Sequence, residues 1–322
     1  MMAKFAKKSF KYCIFAAVVA ILPCLVLELG LRVEHWYRSN IPLSTNPRDR
    51  WDSTLGWVGK EHRIGVEDAP PILVLGDSFT DGLEVPSEEM WFSFLRERFP
   101  QTPIIAYGGK GYGTLQELMA LKNYKAKGVA PSKIILQLCS NDIINNYHRL
   151  EQESYLQRAP GPRPYLENGK ITLRLPRAQG WILFPLMSVS RLAYRYSTQW
   201  DTKIALKAQN HQIESVEYRI QRQGFSHPLF RQAVGVTSEL LKQFKTEVGD
   251  TPLIFMLVDD IEPYSAAIKG IARGLSTPLF IPLHNNALPP SERLADGAHL
   301  NSVGNKTLGQ LFLKKGIDRG VF

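Results

Sequence analysis

Four short stretches of this chain carry side chains suited to chemistry at a carbonyl carbon. Ser78 stands in "LVLGDSFTDG" (73–82), directly after an apolar run. A serine hydroxyl attacks a carbonyl only when a base takes its proton and donors meet the oxyanion that forms. His299, in "DGAHLNSVG" (296–304), can supply the base, and Asp296, three residues earlier, can hold the imidazole in one tautomer and stabilise its cation. Oxyanion donors are at hand in the backbone N–H of Ser78, in a backbone N–H of the glycine-rich "YGGKGYGT" (107–114), and in the side-chain amide of Asn141 in "SND" (140–142). Each stretch also has a plainer reading: Gly, Asp and Ser favour turns, an Asp ahead of a helix is commonly a cap, and Asn-Asp closes strands. The order of the four, each beyond a strand-like run, favours the chemical reading.

The elements that must position these residues alternate along the chain. "PILVLG" (71–76) predicts a strand, "SEEMWFSFLRERF" (87–99) a helix with an acidic start and basic end, and "TPIIAY" (102–107) a second strand. "TLQELMALKNYKAKG" (114–128) predicts a helix ending at glycine, and "KIILQLC" (133–139) a third strand. Strands separated by helices pair in parallel, and runs that are apolar throughout fit a sheet covered on both faces. In such a sheet, ligands bind at the carboxyl ends of the strands, where Ser78, the glycine run and Asn141 all fall. The pattern breaks from about 147 to 235, read as an insertion. It contains a hairpin around Asn168-Gly169 and a helical segment over about 187–222. The doubly wound pattern resumes with a helix around 238–247, the strand "PLIFMLV" (252–258), a short strand near "PLFIPL" (278–283) and a last helix over 302–315.

At 322 residues with 44% hydrophobic content, the chain is long enough to bury a sizeable core. Its formal charge of +9 does not point to nucleic acid, because the basic residues are scattered and Lys4, Lys7, Lys8 and Lys11 cluster ahead of an apolar stretch. That stretch, "YCIFAAVVAILPCLVL" (12–27), makes roughly 24 Å of helix, and continuing through "ELGL" brings it to the roughly 30 Å hydrocarbon core. It reads as a membrane anchor or a cleaved signal peptide; the lack of a small-x-small cleavage site, and of a small residue before Cys24, favours the anchor. Basic residues stay on the cytoplasmic side, so a single pass of the bacterial inner membrane would leave the rest of the chain in the periplasm or outside the cell. Three segments result: 1–33 as anchor, 34–70 as linker, and 71–322 as the folded domain with its insertion. Cys13 and Cys24 fall in the apolar stretch and leave Cys139 alone, so no disulfide framework or cysteine metal site is expected. The histidines other than His299 lack mutual ligand spacing and are read as surface or packing residues. Asp77 and Asp142 are read as structural, Asp81 as a solvated helix-start residue. Tyr165, Arg191, Tyr194, Arg195 and Tyr196 are read as a helix face packing on the core, with a sugar cleft as the alternative.

The stretches "GDSFT" (76–80), "GGKGYGT" (108–114), "SND" (140–142) and "DGAHLNSVG" (296–304) together resemble the SGNH hydrolases, also called the GDSL esterase/lipase family. The resemblance covers roughly 71–147 and 251–315. It implies a flavodoxin-like three-layer α/β/α sandwich with a central parallel sheet, here joined to a middle insertion and an N-terminal transmembrane helix. It further implies Ser78 as nucleophile, His299 as base, Asp296 as its orienting acid, and Ser78, Gly111 and Asn141 as oxyanion donors. No cofactor and no metal are implied. Two positions depart from the family pattern: Cys139 stands where a glycine is usual, and Ala106 where the second motif often begins with asparagine. The expected activity is serine-dependent ester hydrolysis on a carbohydrate O-acyl (acetyl) ester of the cell envelope. The alternatives are O-acetyl transfer, hydrolysis of lipid or thioesters with the same triad, and a non-catalytic module of envelope polysaccharide assembly.

Overall fold

A computed structural model describes residues 2–39, 42–44, 51–65, 69–154, 161–175, 180–210, 215–284 and 288–322. The chain runs through α1 (Met2–Ser39), β1 (Trp51–Asp52), β2 (Gly56–Trp57), β3 (Lys60–Ile64), β4 (Ile72–Gly76), α2 (Ser78–Asp81), β5 (Ile104–Gly108), α3 (Thr114–Ala126) and β6 (Lys133–Leu138). Next come α4 (Asn141–Asn145), α5 (His148–Glu153), the hairpin β7 (Arg163–Glu167) and β8 (Lys170–Arg174), then α6 (Gly180–Val189), α7 (Arg191–Asn210) and α8 (Val216–Gln223). The last part holds α9 (Pro228–Val248), β9 (Leu253–Leu257), α10 (Tyr264–Gly274), β10 (Leu279–Phe280) and α11 (Ser302–Asp318). Packing divides the chain into two units, Met1–Trp51 with Ala178–Lys207 and Asp52–Arg177 with Ala208–Phe322.

The second unit is built on a six-stranded sheet of order β10-β9-β6-β4-β5-β3. Five strands are parallel, and their order is that of a doubly wound sheet that reverses direction at β4. The expected parallel sheet is corrected in one respect: β3 closes the edge antiparallel to β5, so the sheet is mixed. The reason lies in "KEHRI". His62 and Ile64 point inward, Glu61 and Arg63 pair outside at 2.6 Å, and so much charge in five residues reads as loop although the alternation is that of an edge strand. Alternate strand residues enter two cores. Leu73, Leu75, Leu136 and Phe255 pack under α3, α9 and α10, while Val74, Ile135, Ile254 and Met256 meet Trp91, Phe92 and the Leu308–Phe312 face of α11.

Three helix expectations change. Residues 87–99 form two 3-10 turns, Ser87–Glu89 and Trp91–Glu97, because Met90 is extended and the Trp91 N–H is taken by Asn305 Oδ1 at 3.2 Å. The helix expected over 238–247 begins at Pro228, where the ring of His227 accepts from Phe230 N as its cap. The long helical segment of the insertion is three helices, of which α6 and α7 as far as Lys207 belong to the first unit and α8 to the second.

Within the first unit, Glu28 of α1 acts as an N-terminal cap for α7. Its carboxylate accepts from Ser190 Oγ (2.9 Å) and from Arg191 N (3.1 Å) and Leu192 N (2.8 Å), where a helix start attracts negative charge. Arg32 pairs with the same carboxylate at 2.8 Å and reaches the Val189 carbonyl at 3.0 Å. The apolar stretch 12–27 lies inside α1; the side chains of Cys13, Ile14 and Ala17 fall outside the described residues. Among the described residues, no helix is long and apolar enough to cross a membrane.

Candidate active site

The turn after β4 sets Ser78. Gly76 ends the strand where nothing larger fits: a Cβ there would lie 2.4 Å from Gln137 Oε1 and 2.5 Å from Thr80 Oγ1. Asp77 is fully buried and caps the short α2, its Oδ1 accepting from Phe79 N at 2.9 Å. Ser78 is therefore the first residue of a helical turn, half-buried, with an N–H that has no intrahelical acceptor. Asp81 ends this turn rather than starting a helix, and its Oδ1 accepts from Leu83 N at 3.2 Å.

From the far end of the chain, the loop before α11 brings His299 to the serine. Asp296 Oδ1 accepts from Ala298 N (2.9 Å) and His299 N (3.0 Å), folding the loop into an Asx turn. Its Oδ2 lies 2.5 Å from His299 Nδ1, and His299 Nε2 lies 2.8 Å from Ser78 Oγ. The imidazole also packs against the Phe79 ring, centroids 5.4 Å apart. Asn301, not Asp296, caps α11, through bonds from Val303 N and Gly304 N. Partial burial works to raise the Asp296 pKa, but the bonds from the His299 ring and from two backbone N–H groups hold it below the usual carboxylate value. An ionised acid, an imidazole and a hydroxyl in line can move a proton from oxygen to nitrogen and stabilise the cation left behind.

The two other predicted donors stand on either side. β4 lies between β5 and β6, Gly111 follows β5, and Asn141 follows β6, so both sit at the carboxyl ends of the strands flanking the serine. Gly111 adopts φ +65°, the left-handed region that glycine enters freely. Asn141 is buried at 6% exposure, and its Nδ2 donates to Asn145 Oδ1 at 3.0 Å. Thr114 and Asp142 tie the glycine loop to the asparagine turn, hydroxyl to Oδ1 at 3.1 Å, while Asp142 Oδ2 accepts from Cys139 N at 2.8 Å.

Sequence reasoning missed Asp259 and Arg163. Asp259 follows β9 and accepts from Ser140 N (2.9 Å), Cys139 Sγ (3.2 Å) and the Ser140 hydroxyl, so the departure at Cys139 has a partner of its own. Burial raises the Cys139 thiol pKa first, and the Asp259 charge adds to it. The signal was present, since Asp259 is a polar residue at the carboxyl end of a parallel strand. Arg163 gave none: an arginine in a hairpin strand reads as exposed, yet it is 1% exposed and paired with Glu151 at 2.9 Å. Of the residues assigned to a helix face, Tyr165 lies in β7, buried, its hydroxyl donating to Glu151 Oε2 at 2.9 Å. Tyr196 is 62% exposed and stacks on Trp200 with centroids 6.1 Å apart.

The sequence profile of the GDSL-like Lipase/Acylhydrolase family matches residues 72–312. The chain belongs to this family, whose members are hydrolases acting on ester bonds. Its fold is similar to that of the esterase EstA from Pseudoalteromonas sp., with 12% identity, 78% of this chain and 100% of that chain covered, and a TM-score of 0.41. It is similar as well to Axe2, an acetyl xylan esterase from Geobacillus stearothermophilus (13% identity, 78% and 96% covered, TM-score 0.38). A third similar structure is a family 3 carbohydrate esterase from Clostridium thermocellum (13% identity, 77% and 96% covered, TM-score 0.38). No curated protein is significantly similar to the chain.

Proposed function

We propose that Ser78 is the nucleophile of a two-step ester hydrolysis, with His299 as base and Asp296 as the acid that orients it. The observation carrying this reading is the continuous relay from Asp296 Oδ2 through His299 to Ser78 Oγ, at 2.5 and 2.8 Å, across 221 residues of sequence. His299 takes the serine proton as Oγ bonds to the carbonyl carbon, and returns it to the leaving alcohol as the acyl-enzyme forms. It then takes a proton from water as the water oxygen bonds to the acyl carbon, and gives that proton to Ser78 Oγ as the acyl–Oγ bond breaks, releasing the acid and free Ser78. The tetrahedral oxyanion of each step is met by the N–H groups of Ser78 and Gly111 and by the Asn141 amide.

The acyl group is short in this reading. The substrate is a carbohydrate O-acetyl ester of the cell envelope. The stretch 12–27 anchors the chain in the bacterial inner membrane, with Lys4, Lys7, Lys8 and Lys11 on the cytoplasmic side and the hydrolase unit in the periplasm or outside the cell. A panel of 4-nitrophenyl esters from acetyl to palmitoyl, offered to the full chain in mild detergent, tests the acyl preference. Acetyl is expected to turn over at least about tenfold faster than octanoyl; preference for palmitoyl overturns the short-acyl reading. Protease added to spheroplasts is expected to digest the hydrolase unit, and its full protection contradicts the topology.

A further inference from the structure

The glycine loop is held from outside by two side chains that nothing in the relay requires. Gly109 to Tyr112 form a β-turn closed by Tyr112 N to Gly109 O at 2.9 Å, with positive φ only at Gly111, the third residue. That is the type II pattern, which differs from type I by a flip of the central peptide, here Lys110–Gly111. The flip matters because this peptide carries the Gly111 N–H, and in a planar trans peptide the N–H points opposite to the C=O. Whatever holds the Lys110 carbonyl therefore aims the Gly111 N–H. Trp57 holds it, its Nε1 donating to Lys110 O at 3.2 Å. The next peptide is held too, because Arg163 Nη2 donates to Gly111 O at 2.6 Å.

We propose that Trp57 and Arg163 are positioning residues: by bonding the carbonyls of the two peptides that meet at Gly111, they fix its N–H as an oxyanion donor. This rests on the assignment of Ser78 and Gly111 above. Both residues are themselves constrained. Arg163 pairs with buried Glu151, donates from Nη1 to Gln116 Oε1 at 2.5 Å, and lays its guanidinium 4.9 Å from the Trp57 ring centroid. The Trp57 carbonyl accepts from Tyr112 Oη at 2.6 Å, so the loop and its holder are tied at both ends. A buried arginine is expensive to desolvate unless its donors are all used, and here its fork is spread over a carboxylate, an amide oxygen and the loop carbonyl. Trp57 lies ahead of the family match at 72–312, and Arg163 comes from the hairpin between the core motifs.

The test uses the full chain and two variants. Trp57→Phe deletes the indole donor and keeps an aromatic ring under the guanidinium; Arg163→Lys keeps the charge beside Glu151 and removes the second donor. Arg163→Ala is avoided, because it strands Glu151 and threatens folding. Rates are measured per site, with sites counted by saturating fluorophosphonate labelling. Trp57→Phe is expected to lower kcat for 4-nitrophenyl acetate about tenfold and Arg163→Lys about tenfold or more, each with KM within twofold. The second-order labelling rate should fall in parallel. A merely structural role would lower the number of sites and leave kcat per site unchanged. A wild-type kcat per site in Trp57→Phe overturns the proposal alone. A folded wild type that neither labels nor turns over removes the reading of Ser78 and this proposal with it.

Discussion

Two sets of carboxylates in the hydrolase unit behave in opposite ways, and solvent is the difference. Asp296 lies in a loop with its side chain 45% exposed, and three N–H bonds keep it ionised below the usual range. Asp77, Glu117 and Asp142 are at most 1% exposed. Burial pushes Asp77 up to about 6, and burial with the neighbouring carboxylates pushes Glu117 and Asp142 well above the usual value. Asp296, the acid proposed to stabilise an imidazolium, sits where water and hydrogen bonds keep its charge. The three buried acids, of which Asp77 and Asp142 staple backbone N–H groups, sit where the charge is costly. Residue type alone assigns neither job.

The widest test of this contrast is Asp296→Asn. If the exposed acid works through charge and tautomer, kcat falls about 10²–10⁴-fold while Tm moves by no more than about 2 °C. Steady-state kinetics beside a thermal melt decides, and a change in Tm without loss of kcat reverses the roles of the two sets. Asp142→Ala should do the opposite. It leaves the Cys139 N–H and the Thr114 hydroxyl buried without their acceptor, at a cost of roughly 2–4 kcal/mol in a urea titration.

Asp77 sharpens the comparison through pH. Its folded pKa, about 6, lies above its ordinary value of 3.8, so the folded state binds the proton more tightly. The stability this group contributes is fully present below about 3.8 and is lost as pH rises through about 6, on the order of 2–3 kcal/mol if the group acts alone. Asp77→Asn keeps an oxygen for Phe79 N and cannot lose a proton. The Tm of the variant relative to wild type should rise between pH 4 and pH 7; a difference that does not depend on pH would contradict the burial of this charge. The smallest effect is expected at Glu117, neither of whose carboxylate oxygens has a hydrogen-bond partner among the described residues. Glu117→Met should be neutral or stabilising by about 1 kcal/mol at pH 7 and above, read as a urea midpoint.

The parts of the fold legible in the sequence were those where one signal dominates. β4, β5, β6 and β9 are short apolar runs between punctuation, and the relay residues stand where a parallel sheet presents its loops. β3 was hidden because its outward residues are charged and paired with each other. α10 was missed because Ala267 and Ala272 pack as small residues beside Ile268 and Ile271, and Gly270 and Gly274 dilute the helical signal. The 3-10 turns around Trp91 depend on an acceptor more than two hundred residues away, which local pattern cannot register. The hold on Gly111 was invisible for a related reason: Trp57 and Arg163 meet it only through tertiary structure, from a stretch read as linker and from one read as insertion.

The central claim is that Ser78 is made nucleophilic by His299 and Asp296, and intact-mass analysis after fluorophosphonate treatment of the full chain tests it most directly. One adduct mapping to Ser78, absent in Ser78→Ala and formed more slowly in Asp296→Asn, is the predicted result. A folded wild type that stays unmodified, or labelling that persists in Ser78→Ala, would contradict it.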